Sequence, residues 1–228
     1  MPRTQTRGIA ALAAGLVAAL LFATRGLAGS TPTITALPDP AVDQPVATAR
    51  GEQTIVLAGG CFWGVQAVFQ HVKGVLSATS GYAGGTLPSP SYEQVSSSNT
   101  GHAESVKIVF DSSQVSLGQL LKVFFSVAHD PTELNRQGPD VGTQYRSAVF
   151  YTTEAQHRIV QAYIDQLKQA KAFRDPIVTQ VAPLKAFYEA EGYHQNYYNL
   201  HPNQPYIVIN DRPKVEALKT QFAQLWRD

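Results

Sequence analysis

A single cysteine, Cys61, in a chain of 228 residues limits how this protein can hold itself together. No partner exists for an intramolecular disulfide, so stability has to come from a hydrophobic core and backbone hydrogen bonds. The chain is long enough for a short targeting segment and one domain with a proper core. Hydrophobic residues make up 44% and charged residues 15%, the balance of an ordinary globular protein. Net charge is +1, and no basic stripe is present, so nothing points to nucleic acid as a partner.

The N-terminus sharpens the meaning of that cysteine. Arg3 and Arg7 precede an apolar run from Gly8 to Ala23, and the small residues Gly26 and Ala28 flank Leu27 just beyond it. A basic start, an apolar middle and small residues at the end describe a secretory signal peptide over residues 1–28. The run is short for a spanning helix, which needs about 18 or more consecutive apolar residues. An uncleaved N-terminal anchor is the alternative, since Arg25 is unusual just after a cleavable signal. Both readings place the rest of the chain in a periplasmic or other extracytoplasmic space. Residues 29–50, rich in Pro, Thr and Ala without a sustained period, are expected to form a linker, and residues 51–228 the domain. A lone thiol in an oxidising compartment is either buried and inert or has a use.

Periodicity supplies the coarse order of elements. The run Gln53–Ala58 is a buried strand; it ends at Gly59 and Gly60, and a helical pattern opens at Cys61 and runs to Gln70. Strands follow at Val75–Ser80 and Glu104–Phe110, then a helix over Leu117–Val127 and a strand at Ser147–Tyr151. Thr153 and Gln156 have capping-box spacing ahead of a helix to about Lys171. A strand at Ile177–Ala182 follows, and Asp211 with Pro213 opens a C-terminal helix. The fold class this order implies is α+β, one domain with helices packed on a mixed or antiparallel sheet. The stretches Gly81–His102 and His129–Arg146 are too long for plain connections, and their polar and aromatic content suggests functional loops.

Chemistry is expected first at Gly60-Cys61-Phe62-Trp63-Gly64. A strand, a glycine turn and a helix put Cys61 at a helix N-terminus, where unpaired N–H groups and the helix dipole favour an accessible thiolate. Phe62 and Trp63 would wall that nucleophile with apolar surface. Glu104, at the start of a strand, would be a protonated general acid if it faced an apolar pocket, and otherwise a surface carboxylate. Tyr92, Asp140 and Tyr145 are the candidates within the long loops; taken singly, each suits a structural hydrogen bond as well. The six histidines show no HExxH or paired-ligand spacing, so no metal or organic cofactor is expected.

Taken together, GCFWG, GYAGG, PSYEQV, TGHAE, HDPTELNRQGPDVGTQYRS and EGYHQNYY closely resemble the A-type methionine sulfoxide reductase family across roughly residues 53–210. The resemblance implies a two-layer α/β arrangement on a mixed sheet. It implies that Cys61 attacks the sulfur of a methionine S-sulfoxide, that Phe62 and Trp63 pocket its methyl group, and that Glu104 protonates its oxygen. Tyr92 and Tyr145 would hydrogen-bond that oxygen, and Asp140 would shape the polar side of the site. His102, His129 and His194 would be structural. Many family members carry further C-terminal cysteines that resolve the Cys sulfenic acid; here that stretch reads HPNQPYIVIND and carries none. The resolving thiol is therefore expected from outside, from a thioredoxin-like protein or a small thiol. Two rivals remain at this stage: a cysteine hydrolase with His102 or His194 as base, and a non-catalytic module that binds oxidised proteins.

Overall fold

In the computed structural model, which describes residues 36–228, the framework is one mixed sheet built around its most apolar strand. The strands are β1 (Glu52–Gly59), β2 (Val75–Ala83), β3 (Ala103–Asp111), β6 (Ser147–Tyr151), β7 (Gln180–Pro183) and β8 (Phe187–Glu189), in the order β7-β6-β1-β3-β2-β8. All neighbours run antiparallel except β6 and β7. That parallel pair needs a crossover, which the helix α4 (Glu154–Gln169) supplies. The expected leader, residues 1–28, lies outside the described residues.

β1 is flanked by β3 and β6, and Ile55, Val56, Leu57 and Ala58 have no exposed surface. Alternation sends Ile55 and Leu57 to one face and Val56 and Ala58 to the other. The first face carries the main core, against which α1 (Phe62–Gln70), α3 (Leu117–Val123), α4 and α6 (Arg212–Gln221) pack. The second is closed by a smaller cluster of Ala58, Ala83, Ala103 and Ala148 around Val56 and Phe150. This α+β architecture on a mixed sheet is the expected one.

Several local expectations change in detail. The helix expected over Leu117–Val127 is α-helical to Val123 and widens into a π turn at Phe124–Ala128, which buries both Phe124 and Phe125. Thr153 caps α4 by accepting the Gln156 N–H, but the Gln156 side chain reaches back to the N–H of Thr152 at 2.8 Å, so the box is not reciprocal. Asp211 heads α6 without capping it, because its carboxylate turns inward. The strand expected from Ile177 begins at Gln180, since the Val178 N–H is taken by the Pro131 carbonyl at 2.9 Å.

The two long loops are ordered by short elements of their own. The first holds α2 (Tyr92–Ser96), capped by a reciprocal Ser91–Gln94 box. The second holds a hairpin of β4 (Arg136–Gln137) and β5 (Asp140–Val141), followed by a 3-10 turn at Thr143–Tyr145. Gln137 clamps the base of that hairpin by accepting the Asp130 N–H at 2.9 Å and donating to the Asp130 carbonyl at 3.0 Å. Residues 36–50, within the expected linker, carry no helix or strand and lie along α3 and α4. There the Gly118 N–H donates to Asp43 at 3.0 Å and the Tyr163 hydroxyl to the Pro38 carbonyl at 3.0 Å.

Candidate active site

The site begins where β1 leaves the sheet. Gly60 has φ of 90°, in the left-handed region, and a Cβ there would lie 2.5 Å from Gln137 Cγ, so the sharp turn into α1 needs glycine. Cys61 is thereby set at the N-cap of α1. On β3, alternation aligns Glu104 with Val106, Ile108 and Phe110 on the helix-covered face. Glu104 ends that column beside the start of α1, and its Oε2 accepts the Phe62 N–H at 3.1 Å. One of the N–H groups that a helix start leaves unpaired is thus turned onto the acid.

The remaining walls come from the loops and the C-terminal segment. Tyr92 opens α2, where its N–H donates to Glu191 Oε1 at 2.9 Å; the other Glu191 oxygen accepts the Tyr82 hydroxyl at 2.8 Å. Tyr145 closes the 3-10 turn, and Asp140 on β5 accepts the Tyr206 hydroxyl. Trp63 is fixed on three sides. It stacks on Tyr197 of α5 (Tyr197–Leu200) with ring centres 3.8 Å apart, donates from Nε1 to His194 Nδ1 at 3.1 Å, and meets Tyr206 edge-on. The result is a cavity of about 260 Å³ lined by Cys61, Phe62, Trp63, Tyr92, Glu104, Asp140, Tyr145, Gln204 and Tyr206.

All seven residues singled out in the sequence line this one cavity. Gln204 and Tyr206 were not foreseen: their segment was read for a resolving cysteine, and neither stands at a spacing that marks a site. A second cavity of about 320 Å³, between the end of α4 and Ile177, holds none of these groups.

Burial governs the electrostatics. Glu104 is 2% exposed, and desolvation pushes its carboxyl up to about 8, with Asp140 adding to the rise and the Phe62 N–H opposing it. It is therefore a protonated acid at neutral pH. The accessible thiolate expected from the helix start is not what the fold provides. Cys61 is only 8% exposed, and burial, followed by Glu104 and Asp211, holds its thiol well above the usual range. The Trp63 N–H and Lys214 pull the other way and are outweighed. Burial also raises the phenols of Tyr92, Tyr145 and Tyr206, so all three remain hydroxyl donors.

The histidines stand apart from this chemistry. His102 accepts the Gly85 N–H at 3.2 Å and pairs with the Leu87 carbonyl at 2.8 Å, while buried His129 bridges the Phe124 carbonyl and Ser147. His194 accepts the Trp63 Nε1–H on Nδ1, and its buried Nε2 has no partner among the described residues. Among the described residues lining the cavity there is no histidine, so a cysteine hydrolase would lack its base. What the cavity does offer is a sulfur nucleophile, a neutral carboxylic acid and several hydroxyl donors around one small void. That set suits attack on an atom whose bound oxygen must be protonated.

Comparison with known proteins agrees with this geometry. Residues 53–226 match the family model described as peptide methionine sulfoxide reductase. The chain is 57% identical over 180 residues to peptide methionine sulfoxide reductase MsrA 2 of Mesorhizobium japonicum, spanning 79% of this chain and 92% of that protein. It is 51% identical over 189 residues to MsrA 2 of Synechocystis sp., spanning 82% of this chain and 88% of that one. Among solved structures, reduced Mxr1 from Saccharomyces cerevisiae superposes with a TM-score of 0.61 at 30% identity, covering 71% of this chain and 94% of that one.

Proposed function

The chain belongs to the peptide methionine sulfoxide reductase family, and on that footing we propose that Cys61 and Glu104 together reduce methionine S-sulfoxide, free or within oxidised proteins, at the expense of a thiol. The observation that carries this reading is the neutral, buried Glu104, held on the Phe62 N–H in the same cavity as the Cys61 sulfur.

A sulfoxide oxygen leaves sulfur poorly unless it is protonated as the sulfur is attacked. Glu104 gives its proton to that oxygen while Cys61 Sγ closes on the substrate sulfur, and the thiol proton replaces the one Glu104 has lost. A thiol kept protonated by burial is therefore no obstacle, because its proton has a nearby acceptor once the acid has been used. The hydroxyl then passes from the substrate sulfur to Sγ: the new S–S bond and the substrate S–O bond break, an S–O bond forms at Cys61, methionine leaves, and Cys61 is left as sulfenic acid. Tyr92 and Tyr145 supply hydroxyl donors to the oxygen, Asp140 shapes the polar side with Tyr206, and Phe62 and Trp63 form the apolar seat for the methyl group. With methyl seat and oxygen donors on different walls, the cavity is chiral.

Recycling needs two external thiols. The first condenses with the sulfenic acid, releasing water and leaving a mixed disulfide; the second displaces Cys61 as a thiol and carries away the disulfide. The chain has no other cysteine to serve as either. We read the donor as a thioredoxin-like protein or small thiol on the extracytoplasmic side, a reading supported by Arg3, Arg7 and the apolar run that follows.

The test is to give the full chain racemic peptide methionine sulfoxide with dithiothreitol. Consumption is expected to stop at half of the substrate, with only the S epimer gone. Loss of both epimers, or of neither, contradicts the reading.

A further inference from the structure

Close to Cys61 lies a charge pair that the reaction as described does not use. Asp211 has no exposed surface, and its Oδ1 lies 3.3 Å from Lys214 Nζ, while Oδ2 has no hydrogen-bond partner. The Lys214 side chain is 18% exposed. Both heads press on Gly64, the third residue of α1. A Cβ there would overlap the Asp211 carboxylate and stand 3.0 Å from Lys214 Nζ. The missing side chain at Gly64 is thus what admits two charges to the first turn of the helix that Cys61 opens.

A charge at the first turn of a helix acts on whatever shares that end, and the effect fades within a turn or so. Here the sharing group is Cys61, which is the N-cap of the helix whose third residue is Gly64. We propose that Asp211 and Lys214 are positioning residues that set how readily the Cys61 sulfur carries negative charge, Lys214 favouring the thiolate and Asp211 opposing it. The inference rests on the reading of Cys61 as the nucleophile.

The pair acts alongside the other groups around the sulfur, of which Glu104 is the nearest rival. Glu104, from β3, ionises at about pH 8, before the thiol does, and then opposes the thiolate together with Asp211, while burial raises the Tyr92, Tyr145 and Tyr206 phenols. Asp140, from β5, is bonded to Tyr206 and also faces Asp211. Burial pushes Asp211 up to about 6 against the pull of Lys214, so it is ionised at neutral pH. The pair bears on recycling, because a thiol of lower pKa leaves a mixed disulfide faster.

The test is the pH dependence of Cys61 alkylation by iodoacetamide in the full chain. Lys214→Gln is expected to move the midpoint up and Asp211→Asn to move it down, each by on the order of half to one pH unit. The double variant is expected to fall between the two. A merely structural role would not produce shifts of opposite sign. Shifts in the same direction, or unmoved midpoints in folded variants, overturn the proposal. If Asp211→Asn does not fold, Lys214→Gln decides alone, and an unmoved or lowered midpoint overturns it. Alkylation titrates Cys61 whatever its substrate, so failure here is separable from failure of the racemic sulfoxide test.

Discussion

Glu104→Gln is expected to lower kcat/KM for methionine sulfoxide by about 10²- to 10⁴-fold, the usual worth of a general acid. Glutamine keeps the volume of the side chain and still accepts the Phe62 N–H through its carbonyl, so the start of α1 stays in place. What it lacks is a proton to give. Cys61 should therefore remain alkylatable while sulfoxide turnover collapses, which separates loss of the acid from loss of the fold. The pH profile carries the same signature. The active form of Glu104 is the acid, so wild-type activity is expected to fall as pH rises through about 8, and this descending limb should be absent from the variant. The substitution should move stability the opposite way from activity. A carboxyl whose folded pKa is raised contributes stability below its unfolded pKa of roughly 4.3 and loses it as pH rises through the folded value. Glu104→Gln removes that loss, so its Tm at pH 9 is expected to exceed that of wild type. A variant that kept most of its activity, or kept the alkaline limb, would mean that the proton comes from another group.

Leu57→Ala is expected to produce the largest loss of stability for a change outside the cavity lining. Leu57 has no exposed surface and sits opposite Val106 of β3 and Val149 of β6, so strands fixed on both sides prevent the hole from collapsing. Truncations of this kind cost about 2–5 kcal/mol. In a domain of this size each kcal/mol lowers Tm by roughly 2–4 °C, so the expected fall is on the order of 5–20 °C. No disulfide limits the damage, because the chain has a single cysteine. Thermal and urea melts measure the loss, and sulfoxide reduction well below Tm should be nearly unchanged. A fall of less than about 2 °C would mean that the core repacks around the truncation and is not rigid at its centre.

How much of this was legible in the sequence depended on the length of each element and on what fixes it. The β1–turn–α1 unit was readable because an apolar, β-branched run meets paired glycines and then a helical period. The same is true of β3, β6 and α4. α2, β4, β5, β8 and α5 span too few residues for a period to develop, so they were read as loop or not at all. The Ser91–Gln94 and Ser116–Gln119 boxes are exceptions, since their spacing was visible and would have marked two helix starts. Membership of the site could be read from motifs for seven residues. Gln204 and Tyr206 could not, because only the folded chain brings their segment over Trp63. Ionisation was least legible of all. The helix start argued for a thiolate, but the state of Cys61 is set by burial and by carboxylates on β3 and just ahead of α6, which no local pattern announces.

The central claim is that Cys61 completes one reduction unaided and cannot begin another without a borrowed thiol. The most direct measurement mixes the protein with excess methionine S-sulfoxide in the absence of any reductant, follows methionine released, and then labels with dimedone. The account predicts a burst of one methionine per Cys61, then arrest, with Cys61 carrying the dimedone adduct of a sulfenic acid. Continued turnover without added thiol, or a burst that leaves Cys61 unlabelled, would contradict it.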